Sequence, residues 1–191
     1  MLATSIFAEM LRFNGVYLPK LLKEYAPECY FIRPEIRGNP LIWLVGHVVL
    51  NRGEIVEMLG GDPKTGDLGD LFARGTIPEN DPSKYPEPSE LVKRFTRLVI
   101  LTEHLIVKAD PSLLDQKGWG QFDSLGQNLA YSYMHETHHI GQISYLINLS
   151  SMKSFKKSAT AFRKPDQKSS TTKIILDGDR KSTRLNSSHL A

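Results

Sequence analysis

The stretch Ser124-Leu125-Gly126-Gln127-Asn128-Leu129-Ala130-Tyr131-Ser132-Tyr133-Met134-His135-Glu136-Thr137-His138-His139-Ile140-Gly141-Gln142-Ile143 decides the fold class. Its apolar residues Leu125, Leu129, Tyr133, Ile140 and Ile143, with Ile147 just beyond, recur at three, four and seven, the period of one helix face. Ser124 followed by Gln127 fits the capping-box spacing, so a helix opens there and runs to about Ser150. A second stripe on the same helix, Asn128, Ser132, His135, His139, Gln142 and Leu146, is largely polar. Histidines between amide and hydroxyl side chains suit a row that lines an internal polar site.

Three more helices are legible upstream. Residues from Thr4 to Glu24 place Ile6, Phe7, Met10, Leu11, Leu18 and Leu22 on an amphipathic face, and Pro27 ends the pattern. Asn39-Pro40, an N-cap residue and a proline at the first helical position, opens a second helix that Gly60-Gly61 closes. A third follows Pro88-Ser89, with Leu91, Phe95, Leu98, Val99, Leu105 and Ile106 on one face, and stops near Asp110-Pro111. Between Gly60 and Pro88 lies a long loop with one short turn at Leu68 to Ala73, a length that is commonly functional. No strand alternation competes before residue 170. The expectation is an all-α, up-and-down type four-helix bundle over residues 1–150.

Residues 151–191 carry a different chemistry, rich in Lys, Ser and Thr, and read as a polar basic tail. Within it, residues 179–189 read as the in-frame translation of a sequencing adapter, an artefact in which His189 has no meaning. The tail also accounts for the basic balance. Of the 24 Lys/Arg and 21 Asp/Glu of the 191-residue chain, residues 1–150 hold 14 and 18 and the rest 10 and 3. The bundle is therefore mildly acidic and offers no basic face for nucleic acid. The longest apolar runs, Leu41 to Val45 and Val48 to Leu50, fall far short of the ~20 residues of a membrane span. Met1-Leu2-Ala3-Thr4-Ser5 has no basic region ahead of an apolar one, so a cytoplasmic location is expected. The single cysteine, Cys29, excludes an internal disulfide and reads as a semi-buried loop thiol.

The chemistry concentrates in the histidines. His135 and His139 are one helical turn apart on one face, close enough to share an ion. A third ligand is needed, and His47, flanked by Trp43, Leu44 and Leu50, faces the core from the second helix. Taken alone, a core histidine is usually just hydrogen-bonded; beside a two-histidine half-site it completes a three-imidazole site with open positions. Ser132 and Gln142 are the expected supports for these rings. Glu136 is either a general base or a helix-surface carboxylate, since i+1 is turned about 100° from the metal stripe. Glu54, seven residues from His47, is a candidate fourth ligand. His138 reads as a supporting or surface residue, and His104 as solvated.

His135-Glu136-Thr137-His138-His139 also spells the His-Glu-x-x-His string of metallopeptidases. Its extended form wants glycine and histidine where this chain has Gln142 and Tyr145. The other large class takes a later glutamate, and no Glu follows Glu136.

Taken together, Asn39-Pro40-Leu41-Ile42-Trp43-Leu44-Val45-Gly46-His47, Leu59-Gly60-Gly61, Leu71-Phe72-Ala73-Arg74-Gly75 and His135 to Ile143 resemble the DinB/YfiT-like superfamily, over residues 1 to about 150. The resemblance implies a four-helix bundle with a divalent metal on His47, His135 and His139, and a homodimer. It also implies kinship with transferases and isomerases that use a low-molecular-weight thiol. Three neutral imidazoles leave an ion its full charge, which suits activation of a thiol or water for attack on a small-molecule substrate. Zinc, nickel and iron all accept such a site. A non-enzymatic, metal-binding stress-response protein is the rival reading, and the metallopeptidase a minor one.

Overall fold

The computed structural model describes residues 3–23, 25–33 and 38–151; the basic tail from residue 152 on, with the adapter-like stretch 179–189, lies outside them. Among the described residues the α-helices are five: α1 (Ala3–Leu22), α2 (Leu41–Met58), α3 (Gly69–Phe72), α4 (Pro88–Lys108) and α5 (Leu125–Ser151). The four long ones form the expected all-α four-helix bundle. Among the described residues there is no strand, only an isolated bridge between Lys117 and Ser124.

Neighbour order is the finding that periodicity could not supply. α1 packs on α4 and α5, and so does α2, whereas α1 and α2 face each other across a diagonal, as do α4 and α5. The connections over residues 23–40 and 109–124, which join the diagonal pairs, are long enough to cross the bundle. As a result α2, which carries His47, and α5, which carries His135 and His139, lie side by side.

α2 is the most enclosed helix. Every residue from Leu41 to Val49 is buried, as expected of a helix that is apolar on nearly all sides. It begins one residue later than the Asn39-Pro40 signal implies, with Pro40 at the N-cap and no side-chain capping bond. At its other end Gly60 takes φ of 81° and Gly61 N donates to Val56 O at 2.9 Å, the left-handed closure that the glycine pair foretells. The α5 start keeps half of the capping box. Ser124 Oγ accepts from Gln127 N at 3.3 Å, but the Gln127 side chain reaches back to Asp123 N.

The loop from residue 59 to 87 is tied down over α2. Its short turn becomes α3, which delivers Phe72, fully buried, against Gly46. A Cβ on Gly46 would lie 2.3 to 2.5 Å from the Phe72 ring, so only glycine lets the ring approach α2 this closely. Thr76 fixes the end of the segment by accepting from Trp43 Nε1 at 2.9 Å.

Candidate metal centre

His47, His135 and His139 come together. One ring nitrogen from each lies within 4.8 Å of the others, the one such group of His, Cys, Asp or Glu among the described residues. His135 Nε2 stands 3.3 Å from His47 Nε2 and 3.0 Å from His139 Nε2. Two nitrogens bound to one ion at about 2.0–2.1 Å, at angles between a right angle and tetrahedral, would be roughly 2.9–3.4 Å apart. The separations fit.

The other nitrogen of each ring decides what these contacts are. His47 Nδ1 lies 2.6 Å from Phe72 O, an acceptor only, so Nδ1 carries the proton. His135 Nδ1 lies 3.1 Å from Asn51 Oδ1, and Asn51 Nδ2 donates to Ser132 O at 3.2 Å, which fixes the amide and makes His135 Nδ1 a donor too. His139 Nδ1 donates to Gln142 Oε1 at 2.8 Å, while Gln142 Nε2 faces His138 Nε2 at 3.1 Å. With all three Nδ1 protonated, the Nε2 atoms present bare lone pairs to one another. They cannot hydrogen-bond among themselves, and a cation between them is what such an arrangement accommodates.

Protonation does not relieve the crowding at neutral pH. Burial, followed by the charges of His139 and His47, pushes His135 down to about 4. His139 is likewise pushed down to about 4, chiefly by burial and against its bond to Gln142. Burial also lowers His47, against the pull of the Phe72 carbonyl. The imidazoles are neutral ligands in waiting.

Aromatic walls hold two of the rings. Trp43 stacks on His47 with centroids 4.7 Å apart at 12°, and Tyr131 stacks on His135 at 5.6 Å and 15°. His47 is buried, whereas His135 and His139 are only half-buried, so the cluster opens to one side.

Two expectations change. Glu136 is neither an exposed carboxylate nor free to serve as a base at the cluster. It is fully buried, and both oxygens accept from Arg52, from Nε at 2.8 Å and from Nη2 at 2.5 Å. The 100° turn away from the metal stripe points it at α2 rather than at solvent. Glu54 is exposed and stands outside the three-histidine group, so it supplies no fourth ligand. His104 is exposed as expected, and so is His138, which meets Gln142.

Of the expected supports, Gln142 takes its place, while Ser132 contributes its backbone carbonyl rather than its hydroxyl. Asn51 was the missed partner of His135. Its signal was available: it sits one turn after His47, a polar residue on a helix otherwise apolar on that side.

A model of the DinB superfamily matches residues 10–143, a span that includes all three histidines. No curated protein matches the chain.

Proposed function

We propose, from the premise that the chain belongs to the DinB superfamily, that His47, His135 and His139 hold one divalent cation in a metal-dependent enzyme. Zinc and nickel fit best and iron is a further fit. The reaction class is transfer of a low-molecular-weight thiol, or hydrolysis, on a small-molecule substrate. The observation that carries this reading is the meeting of three Nε2 lone pairs whose Nδ1 protons are all committed to oxygen acceptors. When bound, such an ion supplies Lewis acidity that lowers the pKa of a coordinated thiol or water towards neutrality.

The chain's own residues supply orientation. Phe72 O, Asn51 and Gln142 fix the tautomer and the aim of the imidazoles, and Trp43 and Tyr131 limit the tilt of two rings. The half-exposed edges of His135 and His139 leave an approach for a small molecule.

Three ligands favour this reading over a purely structural metal in a stress-response protein, because structural sites are usually closed by four protein ligands. Peptidase chemistry loses support, because the carboxylate it would use as base is bound up by Arg52. No helix among the described residues is long and apolar enough to cross a membrane, in keeping with a cytoplasmic role. A homodimer completes the proposal. Ile6, Phe13 and Tyr17 of α1 are exposed at helical spacing, beside exposed Met134 and Tyr145 of α5, and a second copy would cover that face.

Turnover assays test the enzymatic claim. Metal-loaded protein is expected to consume a low-molecular-weight thiol with an electrophile, or to hydrolyse an activated small-molecule bond, and to lose that activity in His47→Ala. Loaded protein that turns over none of a broad panel would overturn the enzymatic reading.

A further inference from the structure

Asn51 and Arg52 are consecutive on α2, and they bond to His135 and Glu136, consecutive on α5. The two helices are thus joined by adjacent rungs, one to a metal-site imidazole and the next through a buried ion pair. The Arg52 guanidinium also donates to Leu11 O of α1 at 3.1 Å and lies 5.2 Å from the Phe95 ring of α4, so it touches all four long helices.

Stability alone is a poor reason for this pair. Both side chains are 0% exposed and Arg52 Nη1 has no hydrogen-bond partner among the described residues. Desolvation of two such charges commonly cancels their attraction, and an apolar couple of similar volume often does as well or better. What the pair supplies is direction. A guanidinium fork on a carboxylate fixes distance and plane together.

The site needs that direction at one place. His135 and His139 are spaced by α5 itself, whereas His47 comes from α2, so its 3.3 Å meeting with His135 depends on how α2 and α5 are registered. A one-residue slip moves a side chain ~1.5 Å along and about 100° around a helix, and metal sites tolerate only about 0.2 Å in ligand distance.

We propose that Arg52 and Glu136 are positioning residues, a register lock between α2 and α5 that aims His47 and the Asn51–His135 rung at a common point. The proposal rests on the three-histidine metal reading, but its first readout needs no metal. In the full chain, freed of metal by chelation, long-range nitrogen–proton NMR should show His135 as the single Nδ1–H tautomer. E136Q and the apolar double variant R52M/E136L should both show mixed tautomers there. Zinc affinity, by competition with a chromophoric chelator, should fall about 10- to 100-fold in both, the usual effect of losing the outer support of a ligand.

Ile106→Ala, in the separate apolar cluster of Leu11, Ile55, Met58, Leu125 and Leu129, is the control. It should lose stability yet keep the tautomer and the zinc affinity. Should E136Q fail to fold, the double variant, which buries no unmatched charge, decides. If R52M/E136L keeps both the His135 tautomer and the zinc affinity, the lock is wrong. If instead the wild type binds no zinc while the variants lose the tautomer, the lock stands and the metal reading falls.

Discussion

Gly46→Ala should damage the site without touching a histidine. The new Cβ would lie 2.3, 2.4 and 2.5 Å from three carbons of the Phe72 ring, which must retreat by about 1 Å to reach ordinary contact at ~3.5 Å. Phe72 has no slack, being 0% exposed and packed 5.7 Å from Tyr85. Overpacking of this kind costs about 1–3 kcal/mol. For a domain of this size that corresponds to a fall in Tm of roughly 2–12 °C. Retreat also carries the Phe72 carbonyl away from His47 Nδ1, 2.6 Å distant, and should weaken metal binding up to about 100-fold. Gly69→Ala, three residues before Phe72, is the contrast. That glycine has ordinary helical angles, φ −56° and ψ −48°, and open space around its Cβ position. Alanine there should stabilise by about 0.4–1 kcal/mol. Thermal denaturation followed by circular dichroism on chelated protein reads both changes, and chelator competition reads the affinity. A Gly46→Ala protein as stable as Gly69→Ala, with wild-type affinity, would refute the packing argument.

Acid should weaken the metal-free protein in a defined window. The folded His135 and His139 titrate at about 4, below the ordinary 6.5, so between those values the unfolded chain binds more protons and stability falls as pH drops. Urea midpoints should decline from pH 7 to pH 4 more steeply in wild type than in a His135→Gln/His139→Gln variant; parallel profiles would contradict the burial of neutral imidazoles. Asn51→Ala removes both the acceptor of His135 Nδ1 and the donor to Ser132 O. It should weaken metal binding about 10- to 100-fold with the protein still folded, as competition titration can check. Phe13→Glu puts a charge on the exposed apolar face of α1, where Phe13 is 64% exposed. Light scattering should find the variant monomeric and the wild type dimeric; a wild-type monomer would remove the proposed interface.

Much of this was legible in the chain, because it rests on local signals. Pro88-Ser89, Ser124 with Gln127, and Gly60-Gly61 mark helix ends through backbone groups that any helix must satisfy. The i, i+4 pair His135 and His139 and the inward-facing His47 needed only helical periodicity. Neighbour order was not legible, since an apolar face tells that a helix packs and not on which partner. The Arg52–Glu136 pair was hidden for a related reason. Charged residues at such positions usually face solvent, and each is buried here only because the other is opposite. Phe72 was invisible as a support of His47 because the atom that matters is a backbone carbonyl, which every residue has.

The central claim is tested most directly by elemental analysis of protein purified without a histidine tag, alongside His47→Ala and His139→Ala. About one divalent ion per chain is expected in the wild type, with little or none in either variant while both remain folded. Unchanged metal content in the two variants, or a wild type that takes up no divalent ion when one is offered, would contradict the three-histidine centre.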